Sequence, residues 1–131
     1  MDTLQLETIA RRHGIVLLLQ FGSTLTGRLH PRSDVDLAVL LDRPSLSLGE
    51  LADLHHDLQR LVPEREVDLA VINRADPLFL KKITEDCRLL HGDPRRLQRL
   101  RIYAFKRYQD HRRFLAMERA YVAKRLGAEP A

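Results

Sequence analysis

Residues 22–36 read GSTLTGRLHPRSDVD, and the apolar run LAVLL follows at 37–41. This stretch sets Asp34 and Asp36 at the mouth of a strand, just after a loop that opens Gly22-Ser23. Alternate strand residues share a face, so both carboxylates point the same way. Left without a partner, they repel each other and lose solvation. A divalent cation between them turns the same pair into a hard oxygen cage suited to Mg²⁺, which completes its shell with water and substrate phosphates. The loop supplies the complement. Gly22 lets the backbone come close to a ligand, and Ser23 offers a hydroxyl and an amide N–H. A helical turn starting there would favour a phosphate through its free amides and dipole. Arg28 or Arg32 could add charge, and one chain does not choose between them.

Working outward, Val35–Leu41 reads as a buried strand, and so does the continuous run IVLLLQF at 15–21. Before it, residues 3–13 read as a helix capped by Asp2 or Thr3 and stopped by Gly14. After it, Leu51, Leu54, Leu58 and Leu61 recur at helical spacing, and Pro63 closes that helix. EVDLAVI at 66–72 is a third strand that partly echoes VDLAVLL at 35–41. Asp76-Pro77 opens a helix that runs to about Asp86, in the pattern of an N-cap followed by proline at the first helical position. Residues 87–91 form a short edge strand, and a long basic amphipathic helix, or two helices, fills 94–126. Helices interleaved with buried strands give an α/β core of three or four strands. The boundaries are a core at 1–93 and a basic C-terminal helical extension of the same domain at 94–131. On the third strand Asp68 is placed to flank the Asp34/Asp36 site. Three carboxylates can hold two cations that clamp the attacking and leaving oxygens of an in-line phosphoryl displacement, with Asp68 taking the proton of the incoming hydroxyl.

The chain has 131 residues, 44% hydrophobic and 31% charged, the make-up of one compact soluble domain. Aromatic residues make up 5% with no tryptophan, which argues against a single-strand nucleic-acid binder built on stacking. No apolar run reaches the length of a membrane helix, and MDTLQLETIARR lacks the apolar segment of a signal peptide. A single cysteine, Cys87, excludes an internal disulfide and makes the cytoplasm the simplest location; it reads as a small core residue. The net charge of +4 is uneven. The last third is rich in Arg and Lys, a stripe that seeks an anionic or acidic surface. No base-reading motif accompanies it, which argues against direct nucleic-acid binding. His55-His56 are adjacent on a helix and do not share a face, so they make no two-histidine metal site. His13, His30 and His91 read as isolated surface or loop residues.

Gly22-Ser23, ten intervening residues and Asp34-Val35-Asp36 resemble the nucleotidyltransferase signature of the polymerase-β-like superfamily. The short chain, Gly27-Arg28 in the loop and Ser33 before Asp34 look most like the minimal nucleotidyltransferases, typically antitoxins encoded beside a HEPN-domain ribonuclease toxin. The resemblance covers about residues 15–92. It implies the nucleotidyltransferase fold, a small mixed sheet of three to four strands flanked by helices. It also implies ATP as substrate, Mg²⁺ as cofactor, and transfer of AMP to a tyrosine of the partner toxin within a hetero-oligomer. Carried over by motif position, Gly22 and Ser23 hold the nucleotide phosphates, and Asp34, Asp36 and Asp68 are the metal and catalytic carboxylates. Two alternatives stay open: an antitoxin that neutralises its toxin by binding alone, and a small-molecule nucleotidyltransferase. The toxin's own Arg-x4-His motif is missing, since Arg107 and His111 are separated by three residues.

Overall fold

The first helix, α1 (Thr3–His13), starts where the Asp2 side chain accepts from the Leu4 amide, and ends at Gly14 in the left-handed region, φ 69°. A computed structural model describes residues 2–22 and 34–127. The readings made for Ser23, Gly27, Arg28, His30, Arg32 and Ser33 lie outside the described residues. After α1 come β1 (Ile15–Phe21), β2 (Val35–Leu41), α2 (Leu48–Leu61), β3 (Val67–Val71), α3 (Pro77–Glu85), β4 (Arg88–His91) and α4 (Pro94–Arg125). Each segment starts for a local reason. Ser47 and Glu50 form a reciprocal capping box at α2. Asp76 accepts from the Phe79 amide at the head of α3, with Pro77 in the first turn. Asp93 and Pro94 repeat that arrangement at α4. The long C-terminal segment is one continuous helix of 32 residues rather than two.

The four strands form one sheet in the order β3-β2-β1-β4. β1 runs antiparallel to β2 and β4, whereas β2 and β3, joined through α2, run parallel. The sheet is therefore mixed, and β4 is an edge strand as its shortness suggested. One face buries Leu18, Leu37 and Val39 against Leu54 and Leu58 of α2 and Leu6 and Ala10 of α1. The other buries Leu17, Leu19 and Ala38 against Leu80 and Ile83 of α3 and Leu97 and Ala104 of α4. Apolar contact on both faces is why β1 and β2 read as unbroken hydrophobic runs. Cys87 packs half-buried against the second cluster. Among the described residues no helix is long and apolar enough to cross a membrane.

The α4 stripe behaves differently along its length. Leu97 and Ala104 are buried and Leu100 and Tyr108 are half-buried, but Phe114, Leu115, Met117, Tyr121 and Val122 are exposed. The first turns of α4 thus belong to the core, and the remainder carries its apolar residues into solvent.

His13 is a correction to the sequence reading. It is buried, and its Nε2 stands 2.6 Å from Asp57 Oδ2. Asp57 lies beside Leu54 and Leu58 on the packed side of α2, where a carboxylate needs a partner. The hydrogen bond with His13 holds the Asp57 carboxyl below the usual carboxylate range, against its burial and with help from Arg12 at 3.4 Å and the charges of His13 and His56. A lowered folded-state pKa stabilises the fold above the pH where a free aspartate titrates, and that contribution is lost as pH falls through the folded value. Asp57→Ala is expected to cost about 1–3 kcal/mol near neutrality. The gap to the parent protein should narrow below roughly pH 4. Urea unfolding of both proteins across that range checks the size and the sign.

Candidate active site

The carboxylates gather at one end of the sheet. Asp34 is the exposed residue just before β2, Asp36 is the half-buried second residue of β2, and Asp68 is the exposed second residue of β3. The parallel register sets Asp36 directly against Asp68. Neighbouring strands lie about 4.8 Å apart, so these two side chains leave the sheet side by side. Alternation puts them on the face that also carries Ala38 and Ala70. Asp36 feels the crowding: its pKa is raised by burial, then by the negative charges of Asp68 and Asp34, and by a hydrogen bond with Asp68. The three residues singled out from sequence are thus electrostatic neighbours.

Gly22 meets the same group from β1. Phe21 pairs with Asp36 across the antiparallel ladder, so the chain leaving β1 passes over the Asp36 carboxylate. Gly22 has φ 85°, and a Cβ there would lie 2.1 Å from Asp36 Oδ2. Both the backbone conformation and the close approach therefore call for glycine.

Two residues of α2 hold the third acid's strand in place, and the sequence reading missed the role of both. Gln59 donates to the carbonyls of Val62 (3.0 Å) and Arg65 (2.6 Å) and accepts from the Val67 amide (2.9 Å). His55 Nε2 donates to the Val67 carbonyl at 2.8 Å. Both polar groups of the residue preceding Asp68 are thus tied to α2, and the Val35 amide bonds the Glu66 carbonyl at 2.8 Å. Glutamine on a helix reads as an ordinary polar position, so no sequence signal marked Gln59. The work of His55 is to anchor a strand.

Among the described residues no three His, Cys, Asp or Glu side chains stand in the closed arrangement of a metal cage. The chemistry of the acids nevertheless fits a hard divalent cation. The donors are all carboxylate oxygens, and the negative charges of Asp68 and Asp34 beside Asp36, which add to burial in raising its pKa, are ones that a cation would compensate.

Similarity to known proteins bears on the fold. The chain superposes on a crystal structure of a toxin–antitoxin with AMP-PNP at a TM-score of 0.72 and 22% identity, covering 98% of this chain and 100% of that one. It also superposes on the structure of a tri-AMPylated Shewanella oneidensis HEPN toxin in complex with MNT antitoxin, at a TM-score of 0.65 and 20% identity over 98% and 100% of the two chains. For the toxin–antitoxin MntA-HepT the values are 0.64 and 20%, over 97% and 100%. At these identities the likeness is one of fold. No curated protein sequence matches significantly. Residues 5–96 match the family model described as "Polymerase beta, Nucleotidyltransferase", a span that contains the strand pair, Gly22 and all three acids, and the chain belongs to that family.

Proposed function

We propose that this protein is an antitoxin that transfers AMP from ATP to a tyrosine of a HEPN-type ribonuclease partner. The observation that carries the chemistry is the register-matched pair Asp36 and Asp68, with Asp34 beside them and Gly22 lying over Asp36. The choice of acceptor is supported by the minimal-nucleotidyltransferase signature and by the AMPylated toxin in one structural neighbour.

In this reading Asp34, Asp36 and Asp68 hold Mg²⁺, which when bound offsets the negative charge that develops on the phosphate oxygens. Gly22 and Ser23 hold the nucleotide phosphates, which brings the α-phosphorus next to the acids. Asp68, exposed at the edge strand, accepts the proton of the incoming tyrosine hydroxyl. A bond forms between the tyrosine oxygen and the α-phosphorus. The bond from that phosphorus to the bridging oxygen breaks, and pyrophosphate leaves with the electron pair. Incubation of this protein with ATP, Mg²⁺ and the HEPN-type chain encoded beside it should add the mass of AMP to a tyrosine of that chain; no mass gain overturns the reading.

A second reading, neutralisation by binding alone, is favoured by α4. Its outer turns expose Phe114, Leu115, Met117, Tyr121 and Val122 among many basic residues. Helical stretches without tertiary packing are marginal in water, and a partner that is both apolar and acidic would stabilise this one. Neutralisation by an Asp34/Asp36 double variant at equal protein levels would separate binding from catalysis.

A further inference from the structure

The sheet face that carries the acids also carries an aromatic pair that the chemistry above does not use. Phe21 is the cross-strand partner of Asp36, and directly opposed residues in an antiparallel pair project to the same side with Cβ atoms about 5 Å apart. The Phe79 ring of α3 stands edge-on to Phe21, with centroids 6.2 Å apart and planes at 84°. Phe21 is half-buried, whereas Phe79 remains 39% exposed although it sits on a helix packed against the core. An aromatic ring that packs on a half-buried neighbour and leaves part of its surface to solvent is suited to receive another flat group.

The backbone that carries Phe79 is fixed at the head of α3. The Phe79 amide donates to the Asp76 carboxylate at 3.0 Å, and Pro77 fixes the first turn of α3. Its neighbours in the helix, Leu80 and Ile83, are buried in the core. A ring whose backbone is fixed before the ligand arrives loses less freedom on binding. Two kinds of flat group approach the acids, the nucleobase of the substrate and the ring of the acceptor tyrosine. The acceptor oxygen must come within bonding approach of the α-phosphorus, which keeps its ring close to the carboxylates. Phe79 meets Phe21, and Phe21 is the residue paired with Asp36, so Phe79 stands one ring further along from that pairing. That separation suits the base, which hangs from the α-phosphate by the length of a ribose.

We propose that Phe79, braced by Phe21, is the platform on which the nucleobase of the nucleoside triphosphate stacks. This rests on the nucleotidyltransferase reading above and adds the part of the substrate that the acids and Gly22 do not touch. A phenyl face has no hydrogen-bonding group, so the platform selects purine surface area over pyrimidine and does not tell adenine from guanine. Base–aromatic stacking of this kind tolerates any base with sufficient area.

The test is calorimetric titration of the whole protein, with Mg²⁺ present, using AMP-PNP and, separately, inorganic tripolyphosphate, which lacks a base. Phe79→Ala should weaken AMP-PNP about 5- to 150-fold and leave tripolyphosphate unchanged. Phe79→Tyr, which keeps the ring, should bind AMP-PNP like the parent, and circular dichroism confirms that each variant is folded. If Phe79→Ala proves unfolded, Phe79→Leu takes its place, since it keeps bulk against Phe21 and removes the aromatic face. Unchanged AMP-PNP affinity in the ring-less variant overturns the platform and leaves the nucleotidyltransferase reading standing. Equal loss of AMP-PNP and tripolyphosphate also overturns it, because the residue would then be shaping the phosphate site. A parent protein that binds neither ligand removes the platform together with the reading beneath it.

Discussion

Asp36→Asn is expected to lose AMP transfer by about 10²–10³-fold or more while the protein stays folded. The substitution keeps size and shape and removes one charge. Asp36 stands between Asp34 and Asp68, so it is the carboxylate best placed to share a cation with both. An amide oxygen is a poorer ligand for Mg²⁺ and no longer balances its charge. The fold has little stake in that charge, because burial and two like charges already oppose it. Thermal unfolding in the absence of Mg²⁺ should therefore come no lower than in the parent. Incorporation of label from α-labelled ATP into the partner measures the loss. Activity within about tenfold of the parent would remove Asp36 from the metal site.

Gly22→Ala should damage both stability and transfer, for two separable reasons. At φ 85° an alanine pays the left-handed penalty of about 1–2 kcal/mol. Its Cβ would also lie 2.1 Å from Asp36 Oδ2, so the carboxylate must turn away from the position it shares with Asp68. The second effect should cost transfer nearly as much as Asp36→Asn does. Gly14→Ala is the matched control. Its φ is 69° and its Cβ would lie 2.3 Å from Asp42 Oδ1, the same kind of collision at the opposite end of the strand pair. Both variants should unfold at lower urea concentration, and only Gly22→Ala should lose transfer. Equal transfer in the two would mean that Gly22 serves the turn and not the site.

How much of this was legible from sequence follows the range of each interaction. The strands at 15–21 and 35–41 were readable because both faces of each are buried, which leaves an unbroken apolar run. The starts of α1 and α3 were readable because their caps are local. Asp68 was found through the echo between EVDLAVI and VDLAVLL, but its alignment with Asp36 depends on strand register. The His13–Asp57 bond joins residues 44 apart, and nothing near either one announces the other. Asn73 was invisible for the same reason. Its side chain accepts from the Leu41 amide and donates to the Leu41 and Arg43 carbonyls, closing the far end of β2 from the loop after β3. The apolar spacing of α4 was visible throughout, but spacing does not reveal whether a stripe meets the core or leaves it, and only Leu97 and Ala104 are buried.

The mixed sheet has a consequence for how the site could ever be rebuilt. In sheets whose strands all point one way, ligands collect where strands finish. Here the acids stand where β2 and β3 commence, and β1 alone finishes there because its polarity is reversed. Were β1 rewired to run with β2, Gly22 would be carried to the opposite rim, roughly 23 Å away for a seven-residue strand. Circular permutants that preserve the contiguous cassette 15–41 should therefore tolerate new termini elsewhere, whereas a cut that frees β1 to change direction dismantles the chemistry even if every residue is retained.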